Sequence, residues 1–119
     1  MFLASIAAST SLMRAPVGVI LAAPGGKDFM LGILDECREV GTAEGFAPRT
    51  PALERATAMF TTEGSPLTAS MFRDIRAGQP VEADHVVGDL ITRADAAKVP
   101  VPRLRTAYTH LKAYEKARG

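Results

Sequence analysis

The sequence predicts an all-α protein of about six or seven helices. Apolar residues recur at helical spacing in most segments, and proline and glycine divide the chain into pieces of helix length. No segment alternates between apolar and polar residues for long enough to predict a strand. At 119 residues, the chain has the size of a single domain, 1–119, with one hydrophobic core.

The first part of the chain contains three predicted helices. Residues 2–13 are apolar and rich in small side chains, which predicts a buried helix, and Pro16 suits the first turn of a short second helix that Pro24 and the next two glycines end. A third helix is expected from about Asp28 to Ala43, with Gly45 as its terminator. Its apolar stripe consists of Phe29, Met30, Ile33, Leu34 and Cys37. The wetter face is expected to carry Asp35, Glu36, Arg38 and Glu39.

Two further helices are predicted in the middle of the chain. Thr50 reads as an N-cap with Pro51 at the first helical position, and this fourth helix should end near Gly64. A short helix then places Met71 and Ile75 on one side. Its polar residues lie on the opposite side.

The last part of the chain predicts two more helices. One runs from about Ala83 to Lys98, and the other follows the prolines near residue 100. The apolar stripe of the first contains Val86, Val87, Leu90, Ile91 and Ala94, and that of the second contains Leu104, Tyr108 and Leu111. Residues 112–118 are expected to form a solvated end.

Composition excludes several classes of partner. The net charge is +1, so the chain has no basic field of the kind that attracts nucleic acid. The apolar run before Arg14 lacks a preceding basic region and is too short for a membrane span, so we expect neither a secretory signal nor a membrane anchor. Cys37 is the single cysteine, which fits the reducing cytoplasm and rules out an internal disulfide. We therefore expect a cytoplasmic protein.

The common cofactor and metal motifs are absent from the sequence. Gly25-Gly26, Gly41 and Gly45 lack the spacing and the preceding strand of a dinucleotide-binding loop, so no cofactor-binding residue is predicted. His85 and His110 are not at i, i+4 spacing and no His/Cys cluster forms, so no metal ligand is predicted either. No Gly-x-Ser-x-Gly nucleophile motif occurs.

Ser70 and Glu82 remain as candidate site residues, and their chemistry allows two interpretations. In a structural role, Ser70 packs early in a short helix and Glu82 caps the next one, where an acid suits the helix dipole. In a functional role, the hydroxyl and the carboxylate face a cleft. An unrelated small enzyme that uses His85 and Glu82 as acid and base is a third interpretation.

The stretch from Ser70 to Asp84 reads S-M-x-x-D-x-x-x-G-x-x-x-E-x-D, and this pattern resembles the C-terminal domain of the ketopantoate reductase family. The resemblance covers nearly the whole chain. Its other positions are Phe2–Ala4, Arg14–Gly18, Glu36, Gly45, Gly88, Val99–Pro102 and Tyr108. It implies the all-α fold of that domain, which is similar to the C-terminal domain of 6-phosphogluconate dehydrogenase.

The resemblance also implies a reaction. Enzymes of this family bind NADPH on an N-terminal Rossmann domain and close the helical domain over a 2-oxo acid. The family takes its name from a step of pantothenate biosynthesis. Hydride passes to the ketone carbon and a lysine protonates the developing alkoxide, which is costly to leave unneutralised in a dry site. By resemblance, Glu82 is the catalytic glutamate that contacts the substrate hydroxyl region and the lysine. Ser70 is the serine that binds the substrate carboxylate.

Departures from the family pattern limit the activity that we expect of this chain. The Rossmann domain is absent from residues 1–119, and the family lysine aligns two positions before Met1. Leu3, Ala7 and Val17 stand where ketopantoate reductases carry substrate-holding asparagines. We therefore expect the substrate-binding half of an NADPH-dependent 2-oxo acid reductase, without a cofactor of its own and inactive as an isolated chain. The alternative is a stand-alone helical module that dimerises or binds a partner without catalysis.

Overall fold

The computed structural model describes residues 2–118, which form seven α-helices and one π-helical turn with no strand. This confirms the predicted all-α class. The helices are α1 (Phe2–Met13), α2 (Val17–Ala22), α3 (Gly26–Ala43), α4 (Thr50–Thr61), α5 (Ser70–Arg76), α6 (Asp89–Ala96) and α7 (Pro102–Arg118), and the π-helical turn spans Asp84–Gly88 directly before α6.

Helix α1 lies at the centre and packs against α2, α3, α5, α7 and the π-helical turn. Its small side chains permit this close packing, and Ser5, Ala8, Ser9 and Thr10 are fully buried. The Thr10 hydroxyl donates to the Ile6 carbonyl oxygen at 2.6 Å, so this buried polar group is satisfied within the helix. Within residues 2–118, no helix combines the length and apolarity needed to cross a bilayer.

The ends of α3 and α4 follow from local backbone chemistry. Gly45 has φ 85°, and the amide of Phe46 donates to the Gly41 carbonyl at 2.8 Å, which is the hydrogen bond that closes a Schellman motif. The predicted terminator of α3 is thereby confirmed. The predicted cap of α4 is wrong by one residue: Thr50 is already helical, Arg49 occupies the N-cap position without a side-chain cap, and Pro51 follows within the first turn.

Glu36 is buried, which contradicts its predicted place on the wetter face of α3. Its carboxylate accepts hydrogen bonds from the backbone N–H groups of Arg103, at 3.1 Å, and Leu104, at 3.0 Å. Those amides are in the first turn of α7, where N–H groups have no partner within the helix. The Arg103 guanidinium adds a third contact at 3.3 Å. Glu36 therefore joins α3 to the start of α7.

The end of α7 also differs from the prediction of a solvated tail. Tyr114 is half-buried and packs against the core, and its hydroxyl donates to the Gln79 carbonyl oxygen at 2.6 Å. Arg118 donates to the Gly78 carbonyl oxygen at 2.7 Å. The last turns of α7 are therefore in contact with the segment that connects α5 to the π-helical turn.

Candidate functional site

Two neighbouring cavities border α5 and the π-helical turn. The larger has a volume of about 540 Å³ and the smaller about 200 Å³. Ser70, Met71 and Val86 line both, so Ser70 lies where the cavities adjoin. Glu82 lines the smaller one. The structure therefore brings Ser70 and Glu82 to one cavity.

Ser70 is the first residue of α5, and the preceding loop fixes its place. The amide of Val17 donates to the Leu67 carbonyl at 3.0 Å and that of Gly18 to the Ser65 carbonyl at 2.9 Å, which holds this loop against the start of α2. Glycine is needed at position 18, because a Cβ atom there would lie 2.5 Å from the Ser65 backbone nitrogen. The Ser70 side chain remains exposed and available to a ligand.

Glu82 is exposed immediately before the fully buried Ala83. Its backbone carbonyl accepts a hydrogen bond from the Val86 amide at 3.1 Å. Ala83 holds the N-cap position of the π-helical turn, and this cap has no side-chain hydrogen bond. The Glu82 side chain therefore makes no capping hydrogen bond, and of the structural interpretation only the favourable position of an acid near the helix dipole remains.

The π-helical turn is a feature that the sequence pattern did not reveal. The amide of Asp89 donates to the Asp84 carbonyl five residues earlier, instead of to a carbonyl four residues earlier. Tyr108 lies against this turn, and a Cβ atom on Gly88 would approach its ring to 3.2 Å. The Tyr108 hydroxyl donates to Asp84 Oδ1 at 2.5 Å, and this bond, with one from Lys112, holds the pKa of Asp84 below its usual range. Single-turn π-bulges occur frequently at functional sites.

The larger cavity carries the polar side chains of His85, Asp89 and Arg93. Arg93 is already paired, because its Nε lies 3.1 and 3.0 Å from the two carboxylate oxygens of Glu44. The same contact lowers the pKa of Glu44. His85 lines the larger cavity and Glu82 the smaller, so the predicted acid–base pair of an unrelated enzyme is not brought to a common cavity.

Leu3 and Ala7 form part of the apolar wall of the larger cavity. Val17, the third position at which the family carries an asparagine, is fully buried in the core and lines neither of these cavities. Among residues 2–118, no group of three His, Cys, Asp or Glu side chains is placed to hold a metal ion. Beside this apolar wall, the two cavities together offer the hydroxyl of Ser70, the carboxylates of Glu82, Asp74 and Asp89, and the imidazole of His85.

Comparison with known proteins identifies the domain. The family model for the C-terminal domain of ketopantoate reductase PanE/ApbA matches residues 1–115. The chain belongs to this family. It is 36% identical over 116 residues to the uncharacterized oxidoreductase YkpB of Bacillus subtilis, covering 97% of this chain and 38% of that protein. It is 31% identical over 113 residues to 2-dehydropantoate 2-reductase of Pyrobaculum aerophilum, covering 94% of this chain and 40% of that enzyme.

The fold is also found among solved structures. A dimeric ketopantoate reductase from Staphylococcus aureus matches with a TM-score of 0.81 and 24% identity, over 99% of this chain and 42% of that one. This likeness shows the fold of the ketopantoate reductase C-terminal domain. The chain therefore spans about two fifths of the length of the relatives that it matches.

Proposed function

We propose that this chain is the substrate-binding helical half of an NADPH-dependent 2-oxo acid reductase. The observation that carries the proposal is that Ser70 and Glu82, the two residues that match the family's site residues, line one cavity. Membership of the ketopantoate reductase C-terminal family supports it.

Each of the two side chains has a role that suits its chemistry. The Ser70 hydroxyl donates a hydrogen bond to a carboxylate oxygen of the 2-oxo acid, and as a neutral group it adds no charge to the site. The Glu82 carboxylate accepts a hydrogen bond from the hydroxyl group of the product, and so orients that oxygen once the family's lysine has protonated it. Neither role needs either residue to be buried in this half alone, because in the family's reaction a second domain closes over the substrate.

NADPH does not fit the described residues. A dinucleotide-binding site needs a glycine-rich loop between a strand and a helix, and residues 2–118 contain no strand. We therefore assign only substrate contacts to this chain and propose that it is inactive alone. We place the protein in the cytoplasm, where NADPH-dependent reduction and a free thiol are both compatible with the redox state.

The apolar wall of the larger cavity suggests the kind of 2-oxo acid. Leu3 and Ala7 offer no hydrogen bond to a substrate hydroxyl, and leaving such a group unpaired on binding costs on the order of 1–3 kcal/mol. We infer that the part of the substrate that faces Leu3 and Ala7 is apolar, whereas His85 and Asp89 line another part of the same cavity. A matched pair of probes differs by one hydroxyl: ketopantoate and 3,3-dimethyl-2-oxobutanoate.

The experiment is a chimeric enzyme in which this chain replaces the matching segment of the Pyrobaculum aerophilum reductase. NADPH oxidation is measured with both 2-oxo acids, with the isolated chain as the inactive control. The proposal predicts turnover by the chimera and a higher kcat/KM for 3,3-dimethyl-2-oxobutanoate. Faster reduction of ketopantoate would overturn the substrate assignment and place the reaction in pantothenate biosynthesis. A folded chimera that oxidises NADPH with neither acid would overturn the proposed function.

A stand-alone dimerisation module is the second candidate, and exposed apolar side chains favour it. Leu3 and Phe46 are each 77% exposed, and an interface between two copies of the chain would bury them. The related Staphylococcus aureus protein is dimeric. Light scattering on the isolated chain tests this candidate, which predicts a dimer that Leu3→Ser or Phe46→Ser converts to a monomer.

A further inference from the structure

The connection between α5 and the π-helical turn is held by α7 on the side that precedes Glu82. The Tyr114 hydroxyl donates to the Gln79 carbonyl oxygen at 2.6 Å, and Arg118 Nε donates to the Gly78 carbonyl oxygen at 2.7 Å. Both acceptors are backbone atoms, so these contacts fix the path of the chain and not the orientation of a side chain. Gly78 has φ 73°, which a glycine adopts without strain.

A second pair of side chains from α7 holds the chain on the side that follows Glu82. Tyr108 donates to Asp84 Oδ1 at 2.5 Å and Lys112 Nζ lies 3.2 Å from Asp84 Oδ2. The four residues fall into two pairs at i, i+4 spacing, 108 with 112 and 114 with 118, which places the members of each pair on the same face of the helix. One helix therefore contacts the chain three and four residues before Glu82 and two residues after it.

Glu82 itself is exposed, and its backbone carbonyl bonds to the next turn of its own segment. Its position over the smaller cavity is therefore set by the segments on either side. We propose that the second half of α7 positions Glu82, with Tyr114 and Arg118 as the positioning residues before it and Tyr108 and Lys112 as those after it. The positioning of Glu82 can be observed in the isolated chain. Its effect on a reaction rests on the proposed function.

The positioning is tested by backbone ¹⁵N relaxation on the isolated chain, which needs neither cofactor nor substrate. In the wild-type chain we expect the amides of Gln79 and Glu82 to have order parameters near 0.85, the value of rigid backbone. In the double variant Tyr114→Phe/Arg118→Ala, the same amides should fall to about 0.6 or below. Lys116→Ala is the matched control, because Lys116 is exposed on the same turn of α7.

Global stability separates positioning from a general structural role. A residue that only stabilises the fold would lower the free energy of unfolding and leave the order of the Glu82 amide in the folded state unchanged. If these residues position Glu82, the double variant should instead lose order at residues 79–82 in the folded state. The amide of Leu111, in the middle of α7, should stay as rigid as in the wild-type chain. A wild-type connection that is already flexible, or a double variant in which residues 79–82 stay rigid, would overturn the proposal.

The single variant Tyr114→Phe tests the same proposal in case the last turns of α7 unfold in the double variant. It removes one hydroxyl and leaves the packing of the ring. The Gln79 amide donates to the Asp74 carbonyl at 2.8 Å, and its hydrogen exchange should become about fivefold faster when the neighbouring hydrogen bond is lost. Unchanged exchange at Gln79 would contradict the proposal. Loss of NADPH-dependent activity in the chimera, by contrast, bears on the proposed function alone.

Discussion

Replacement of the buried Glu36 by alanine should destabilise the protein far more than replacement of its exposed neighbours on α3. Glu36 is 5% exposed, and its carboxylate accepts two backbone hydrogen bonds from the first turn of α7, from Arg103 and Leu104. In Glu36→Ala the Leu104 amide has no replacement partner, because Leu104 is fully buried and water cannot reach it easily.

The magnitude follows from the bonds that are lost. A hydrogen bond to a charged group contributes about 1.5–3 kcal/mol, so two of them give about 3–6 kcal/mol. The Arg103 side chain is 43% exposed and regains water after the substitution, which favours the lower end of that range. We expect Glu36→Ala to lower the free energy of unfolding by about 3 kcal/mol. Glu36→Gln should lower the free energy of unfolding by less than Glu36→Ala does. Its amide oxygen replaces one of the two acceptors, while its NH₂ group faces the other backbone donor.

The assay is urea denaturation followed by circular dichroism, with equal m-values as the criterion that the variants unfold alike. Glu39→Ala is the matched control, since it removes the same charge from an exposed position three residues further along α3. The control should change the unfolding free energy by less than about 0.5 kcal/mol. A Glu36→Ala value within 0.5 kcal/mol of the control would refute the role of Glu36 as the anchor of α7.

Three further outcomes are expected. Leu90→Ala should lower the free energy of unfolding by about 2–5 kcal/mol because Leu90 is buried. Leu3→Ala is the control, since Leu3 is exposed and its loss should change the free energy little. Equal free energies of unfolding for the two variants in urea titrations would contradict this prediction. Burial raises the pKa of the Cys37 thiol from 9.0 to about 11, so the unfolded thiol ionises first and stability should fall as the pH rises from 9 to 11. Thermal melts should show a smaller decrease in melting temperature between pH 9 and 11 for Cys37→Ala than for the wild-type chain. An equal decrease in both proteins would contradict this prediction. NADPH should leave the melting temperature of the isolated chain unchanged, and a saturable increase would show a cofactor site that the fold does not predict.

Most helix positions could be predicted because their signals are local. Proline and glycine end helices through backbone geometry within a few residues, as Gly45 shows at the end of α3. Four of the five residues of the apolar stripe predicted for the helix after Glu82 are buried, namely Val87, Leu90, Ile91 and Ala94, and Val86 is half-buried. The predicted N-cap at Thr50 was wrong by one position because no side-chain bond fixes that end of α4.

The wrong predictions concern contacts between residues that are distant in the sequence. Glu36 and Arg103 are 67 positions apart, and only the packing of α3 against α7 turns an acidic residue inward. Tyr114 is 35 positions from its acceptor Gln79, so helical periodicity alone left it in a solvated tail. The π-helical turn at Asp84–Gly88 was missed for a similar reason, since its partner Tyr108 comes from another helix.

The candidate site depended on the family resemblance. A serine at the start of a helix and a glutamate before the next one are common, and their physical chemistry alone favoured a structural role for both. The structure adds that Ser70 and Glu82 line one cavity, which neither spacing nor periodicity could establish. Their roles in binding and catalysis remain predictions.

The measurement that tests the central claim most directly is the effect of Glu82→Gln on kcat in the chimeric reductase. Glu82 is exposed, so the variant should keep the melting temperature of the parent chimera. The account predicts a loss of about 10- to 100-fold in kcat, as expected when a hydrogen bond between a charged group and the reacting oxygen is lost. The control Glu54→Gln, at an exposed position on α4, should keep full activity. Equal kcat values for Glu82→Gln and the control would contradict the account.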